Sequence, residues 1–281
     1  LVVGTEVSCA VGEMLGSTHY DLGFHATATV GSLGAAAAVA RLMRLDEQRA
    51  ATALGLAATQ AAGLKANFGT HAKPLHAGRA AMNGLLAARW AAAGLTASTS
   101  IIEAVQGFGA VMSTGFAPAF DPPVASFGIE LNCYKYYPAC YFTHSAIAAT
   151  SALRDQHGLT PDDIEQVVVG LQPQHDKVCN IAEPEDDLGI KFSVRHLVAM
   201  ALARVDVSDT GVFSRETARR GDLVALRERV VFAGRPVPTR WAATVEVTCR
   251  DGRVLNRDED VGIPADDLER QEARLLAKFH T

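Results

Sequence analysis

Apolar residues recur along this chain with two different periods, and the change from one to the other falls near its middle. From residue 31 to residue 94 the sequence is rich in alanine, with breaks at Gly63, at Phe68-Gly69 and at Gly94. Within it, Ala50, Leu54, Ala57 and Ala61 recur at three- and four-residue spacing behind Asp46, whose carboxylate can cap the open N–H groups of a helix start. Residues 1–15 also read as an amphipathic helix, one already under way at Leu1, so further residues are expected upstream. Ser100 and Glu103 have capping-box spacing and predict a short helix that stops near Gly107. The first half is therefore expected to be all-α, its small side chains letting helix axes approach closely.

The Pro-rich segment 118–123 ends this pattern, and Phe120, Phe127 and a run of aromatics replace the alanines. Thr160-Pro161 predicts a short helix with proline at its first position, followed by a strand over residues 165–169. Val230-Val231-Phe232 is a second strand candidate. Residues 243–249 alternate apolar and polar side chains, and Asp251-Gly252 before Val254-Leu255 completes a hairpin signal. Residues 192–204 and 223–227 read as helices. The expected fold class is an all-α helical domain, residues 1–125, plus a smaller α+β domain, residues 126–262. The helix-forming tail, residues 263–281, is expected to dock back onto the helical domain.

Composition narrows the function classes. A chain of 281 residues with 48% hydrophobic and 20% charged content buries a sizeable core. Its formal net charge of −5 argues against the basic face that general nucleic-acid binding needs, so any anionic ligand must meet local cations. Five cysteines, Cys9, Cys133, Cys140, Cys179 and Cys249, show no CxxC pair, which fits buried thiols in a reducing cytoplasm better than a disulfide frame or a zinc site. No stretch reads as a signal peptide or membrane span, so a soluble cytoplasmic protein is expected, without a membrane partner.

Four segments carry candidate chemistry. In residues 68–81, Pro74 places a helix start at Lys73-Pro74, and Lys73, His76, Ala80 and Asn83 then share one helical face, with Arg79 beside His76. A lysine, a histidine and open backbone N–H groups at a helix start form a cradle for a carboxylate; the competing reading is a solvent-exposed turn with a surface lysine and a packed histidine. His25 sits in a Gly-flanked aromatic context before an Ala-rich helix, as a core or capping histidine or as a proton carrier. His144 begins a helix after Tyr136, Tyr137, Tyr141 and Phe142, an aromatic-walled niche that suits proton transfer or, equally, an inter-domain core. Cys140 in the same group lacks the helper pattern of a nucleophile. Lys191, Arg195 and His196 gather at another helix start, a solvated helix end unless the domains close over it. His157, His175 and His280 sit in polar, loop-like contexts and receive no role.

These segments resemble the signatures of a known family. Gly23-Phe24-His25-Ala26-Thr27-Ala28-Thr29, then Phe68-Gly69-Thr70 with Lys73-Pro74-Leu75-His76-Ala77-Gly78-Arg79-Ala80-Ala81, look like two signature segments of the MmgE/PrpD family. Tyr137-Pro138-Ala139-Cys140 with Thr143-His144, and Lys191-Phe192-Ser193, resemble two more in the same order. The resemblance implies a large helical domain, a smaller lid-like α+β domain, and lyase or epimerase chemistry on small polycarboxylates. The family's activities include dehydration of 2-methylcitrate in propionate metabolism, decarboxylation of cis-aconitate and epimerisation of iminodisuccinate. They need neither metal nor organic cofactor.

Carried over residue by residue, the resemblance makes His25, Lys73 and His144 the catalytic candidates. His76, Arg79, Lys191, Arg195 and His196 become substrate-binding candidates. Lys73, assisted by His76 and the helix start, would hold a substrate carboxylate and stabilise enediolate-like charge, while His25 or His144 moves the proton. A hydro-lyase acting like 2-methylcitrate dehydratase is placed first, ahead of a decarboxylase or an isomerase. A homodimer is expected. Two departures stand out. The family's acidic and histidine-containing segment lies upstream of the His25 motif and is absent here, which suggests a separate partner chain or a non-catalytic half-site subunit. His196 stands near a position where some relatives carry tyrosine.

Overall fold

Alanine and glycine set the packing of the first half at the level of the backbone. The computed structural model describes residues 1–118 and 127–280 and divides into two units, Leu1–Asn132 and Cys133–Thr281. The expected boundary at residues 125 and 126, together with Phe120, Pro122 and Pro123, lies outside the described residues.

The first unit is helical: α1 (Val2–Asp21), α2 (Ala26–Leu42), α3 (Glu47–Ala58), α4 (Ala72–Ala92) and the short α5 (Phe108–Met112). Helix α2 packs against α1, α3 and α4. Asp46 caps α3 as its sequence position implies, with its Oδ1 accepting from the Arg49 N–H at 2.8 Å. Val11, Leu15, Val30, Leu33 and Phe108 form one buried cluster, and alanines such as Ala36, Ala57 and Ala87 form others. Gly84 on α4 marks a close approach to α2, because a Cβ there would lie 2.4 Å from the Ala36 backbone nitrogen. The helix expected after Ser100 does not form. The carbonyls of Ile101 and Ile102, which a continuing helix would give to residues 105 and 106, accept instead from the N–H groups of Phe108 (2.7 Å) and Gly109 (3.0 Å). Gly107 therefore caps the start of α5 instead of ending a helix.

The second unit holds α6 (His144–His157), β1 (Ile164–Leu171), α7 (Asp176–Cys179), α8 (Asp187–Lys191), α9 (Val194–Leu202), α10 (Arg215–Arg219) and α11 (Gly221–Arg227). The strands β2 (Val230–Gly234), β3 (Ala242–Cys249) and β4 (Val254–Asp260) and the helix α12 (Leu268–Phe279) follow. The sheet order is β2-β1-β3-β4, with β1 parallel to β2 and the other pairs antiparallel. Alternation works as predicted in β3, where Ala243, Val245, Val247 and Cys249 are buried and the residues between them are half-buried. Thr160-Pro161 starts a single 3₁₀ turn, its Thr160 N–H and Oγ1 both donating to Asp163 Oδ2 at 2.8 and 2.7 Å. Helices α6 and α9 pack against each other, α6 also on β3 and β4, and α9 on β2.

Helix α12, expected against the helical domain, belongs to the second unit. There Arg274 lies 3.5 Å from the Tyr136 ring centroid, and Lys278 Nζ donates to the Lys135 carbonyl. Stacking and a charged hydrogen bond hold this polar helix to its own unit. Among the described residues, no helix is long and apolar enough to cross a membrane.

The α2–α4 contact yields a stability prediction. Gly84→Val places methyl groups where the α2 backbone already sits, and overpacking of this kind costs about 1–3 kcal/mol. Thermal denaturation followed by circular dichroism should show a lowered midpoint, and an unchanged one would contradict the backbone contact between α2 and α4.

Candidate active site

In the first unit, three candidate residues come together because two distant turns are tied by backbone bonds. The His25 N–H donates to the Gly63 carbonyl (3.0 Å), and the Lys65 N–H donates to the Gly23 carbonyl (2.8 Å). This bridge pairs Phe24 with Leu64 and leaves His25 as the residue before α2, with extended backbone angles of φ −94° and ψ 101°. Helix α4 begins at Ala72, one residue earlier than proline placement predicts, behind His71. Its first turn is tightened by Thr70, whose Oγ1 accepts from the Ala72 N–H at 3.2 Å and donates to the Asn67 carbonyl at 2.8 Å.

One helical turn further on, His76 Nδ1 lies 2.8 Å from His25 Nδ1. Phe68 walls the pair: its ring meets His25 edge-on at 4.9 Å, and Lys73 Nζ sits 4.7 Å from its centroid. A Cβ at Gly63 would fall 2.4 Å from Ala28 Cβ and 3.4 Å from His76 Nδ1, so the tie needs glycine at that point. Asn83, on the same face of α4, is buried and donates to the Gln60 carbonyl at 3.1 Å. Arg79 is exposed, with its guanidinium 3.9 Å from Met82 Sδ.

An Nδ1-to-Nδ1 contact has a defined chemical consequence. Only one of the two nitrogens can carry the shared proton, so in a neutral pair one ring has its lone pair at Nε2 and the other has its N–H there. A base and an acid are thus offered side by side, next to a primary amine that can bind a carboxylate.

In the second unit, His144 starts α6 and is fully buried between Tyr137 (ring centroids 5.0 Å apart) and Tyr141 (4.9 Å). Among the described residues, neither ring nitrogen meets a partner in good hydrogen-bonding geometry. Burial, and then the charge of Lys135, lower its pKa to about 3, opposed in part by the carbonyls of Ala139 and Tyr137. The imidazole is therefore neutral at pH 7, and its burial makes it a weak base. Burial raises the pKa of both tyrosines, which keeps them as phenols, and Tyr141 donates to the Val261 carbonyl at 2.6 Å. His144 lines a cavity of about 180 Å³ together with Tyr137, Glu259 and Arg274.

The Lys191, Arg195 and His196 group separates into three environments. Lys191 Nζ lies 3.4 Å from Asp187 Oδ2, Arg195 Nε donates to Asn180 Oδ1 at 2.8 Å, and the His196 ring is fully buried. A solvated helix end does not describe His196, because every residue of α9 from His196 to Leu202 is buried. Burial, and then the charge of Arg227, lower its pKa to about 4. His175, read from sequence as a polar loop residue, is also buried, stacked on Phe142 at 3.8 Å, with its pKa lowered by burial to about 4. His157 and His280 are exposed.

Sequence reasoning did not single out His19, which bridges the Met112 carbonyl and Thr29 Oγ1, both at 2.8 Å. Nor did it foresee the requirement at Gly63, visible only as a helix break. Cys140, Cys179 and Cys249 are buried thiols outside any disulfide, while Cys9 and Cys133 are half-buried. Among the described residues, no three His, Cys, Asp or Glu side chains converge in metal-binding geometry.

An α-helical unit with imidazoles and a lysine at its helix starts, joined in sequence to a four-stranded α+β unit, matches a defined class. The MmgE/PrpD N-terminal domain matches residues 1–121 and the MmgE/PrpD C-terminal domain matches residues 137–281, so the chain belongs to the MmgE/PrpD family. It is 33% identical to the cis-aconitate decarboxylase of Mus musculus over 206 residues, which cover 70% of this chain and 42% of that protein. To the cis-aconitate decarboxylase of Homo sapiens it is 33% identical over 157 residues, 53% of this chain and 32% of that protein. To that of Aspergillus terreus (strain NIH 2624 / FGSC A1156) it is 29% identical over 220 residues, 72% of this chain and 45% of that protein. The chain thus spans less than half the length of these relatives.

The buried imidazoles predict how stability depends on pH. His144, His175 and His196 have folded pKa values of about 3, 4 and 4, below the unfolded value of about 6.5. Between about pH 6.5 and pH 4 the unfolded chain takes up protons that the folded chain refuses, so stability falls as pH falls, by at most ~1.4 kcal/mol per pH unit for each imidazole. Urea unfolding at about pH 7.5 and about pH 5, above the range where most carboxylates titrate, should show a lower midpoint in acid. His196→Phe should flatten that difference, and an equal drop in the variant would remove His196 from the set.

Proposed function

We propose that this chain carries active-site residues of a cofactor-independent lyase acting on a small di- or tricarboxylate, with decarboxylation of cis-aconitate as the reaction its relatives favour. The observation that carries the reading is the 2.8 Å pair of His25 and His76 beside Lys73 at the start of α4. Dehydration of a 2-methylcitrate-like acid, placed first on sequence alone, becomes the second reading, because the relatives quoted above are decarboxylases.

Lys73 binds a carboxylate of the substrate through its ammonium group at the positive end of the α4 dipole; the N–H groups of Ala72, Lys73 and Leu75 are taken by Thr70 and His71, and Pro74 has none, so the lysine carries the contact. In decarboxylation the bond between the carbon skeleton and the departing carboxylate breaks, and its electron pair moves onto the skeleton. Carbon dioxide leaves, and the skeleton takes up one proton from the imidazole pair, so charge and atoms balance. The cation stabilises the negative charge that develops in between. In dehydration the same pair runs the other way, one ring removing a proton next to a carboxylate while the departing hydroxyl takes another and leaves as water.

Lys73→Ala should lower kcat/KM for cis-aconitate by roughly 10²–10³-fold, and His25→Ala by roughly 10²–10⁴-fold, with circular dichroism unchanged in both. NMR in deuterated water separates the reactions: decarboxylation yields carbon dioxide and a new C–D bond, whereas dehydration interconverts a hydroxy acid and its alkene. Iminodisuccinate and citrate complete the substrate panel. Near-parental rates in Lys73→Ala would defeat the assignment. Carboxylate binding without turnover, with activity restored by a second polypeptide, would instead identify a half-site subunit.

A further inference from the structure

The second unit contains a larger cavity than the one beside His144, about 510 Å³, built from residues other than Lys73, His25 and His76. Its volume is that of a metabolite site. Arg154, Arg204, Arg274 and Lys278 line it, with Asp206 as their acidic neighbour in the wall. Asp155, which accepts from both Arg154 (2.8 Å) and Arg204 (3.0 Å), reduces the local excess of positive charge without cancelling it. This concentration of cations sits in a chain of net charge −5.

The cations are held in place. The Arg274 guanidinium carbon lies over the Tyr136 ring, 3.5 Å from its centroid. Arg154 is anchored by Asp155 and by a bond to the Ala201 carbonyl. Arg204 follows the end of α9 with φ 58°, a left-handed conformation more often occupied by glycine. Arg44 adopts a similar angle after α2, so the conformation alone assigns nothing, but at residue 204 the side chain it projects lines the cavity. Burial and the neighbouring charge of Lys135 lower the pKa of Lys278, as expected where positive groups crowd together. Planar guanidinium groups fixed around one space suit oxygens that accept hydrogen bonds in pairs.

We propose that this cavity binds a small anion bearing two or more charges on carboxylate or phosphate oxygens. The site differs in its residues from the Lys73 cluster, and its ligand need not react.

Isothermal titration of the full chain with tricarballylate, a saturated tricarboxylate, and with inorganic pyrophosphate tests this and distinguishes the two sources of oxygen. At least one probe should bind, with affinity reduced about tenfold or more in Arg204→Gly and in Arg274→Gln, the loss expected from one charged hydrogen bond. Tricarballylate can also occupy the Lys73 cluster, so Lys73→Ala removes that event alone: the binding that is lost in the arginine variants should remain in Lys73→Ala, within about twofold. Arg204→Gly suits the left-handed backbone, so it removes the side chain without adding backbone strain. Arg274→Gln and Lys278→Gln, with thermal midpoints measured alongside, serve as second probes should Arg204→Gly prove unstable. The proposal is overturned if neither anion binds, if the arginine variants bind as the parent does, or if Lys73→Ala alone abolishes binding.

Discussion

The hydrogen bonds from the His25 N–H to the Gly63 carbonyl and from the Lys65 N–H to the Gly23 carbonyl fix two turns that are far apart in sequence against each other. One turn delivers His25 to the start of α2, and the other is followed by Phe68 and by the start of α4, which bears Lys73 and His76. Without that tie the imidazoles belong to independent loops, and a 2.8 Å contact between them would have to be assembled against the entropy of both segments. The absence of a side chain at Gly63 is what permits the approach, since a methyl group there would overlap Ala28. A backbone feature thus sets the proton inventory of the cluster: two rings share one proton, and their outer nitrogens differ in character.

The second unit handles imidazole differently. His144, His175 and His196 are kept neutral by burial, and the nearby charges of Lys135, Arg240 and Arg227 reinforce that state. Removing a neutral imidazole from water costs far less than removing its protonated form, so these positions are tolerable at neutral pH and become costly in acid. His175 stacks on Phe142 and His144 lies between two tyrosines, so both rings serve partly as aromatic packing. The cavity beside His144 gives that imidazole room for a reacting partner.

Much of this was legible in the sequence where local chemistry decides structure. The β3 alternation, the Asp251-Gly252 turn, the Asp46 cap and the Thr160-Pro161 start all formed as read, because each depends on neighbours within a few residues. The Ser100 segment was misread because Ile101 and Ile102 give their carbonyls to Phe108 and Gly109, a choice that the capping-box spacing does not reveal. His175 sits among polar neighbours in sequence and His196 follows Arg195 at a helix start, yet packing buries both. The contact of His25 with His76 joins positions on separate segments, so spacing on α4 pointed to Lys73 and His76 without showing which imidazole they meet. Arg154, Arg204, Arg274 and Lys278 are scattered over three regions of the chain, and no sequence pattern gathers them.

Charge ties these observations to the choice of ligand. A net charge of −5 gives a small anion no long-range attraction to the protein as a whole. At physiological ionic strength, however, interactions between exposed charges are screened beyond roughly 8 Å, so the average charge matters less than the cations within a few ångströms of the ligand. Half-buried Lys73 beside an aromatic ring is screened less than a surface lysine, whereas Arg204 and Arg274 at the cavity are exposed and act on a ligand at contact distance. Recognition of a polycarboxylate by this chain therefore falls to a few fixed cations. Selectivity then depends on the spacing between them, because a ligand whose carboxylates cannot reach two cations at once loses the short-range contacts that compensate for desolvation.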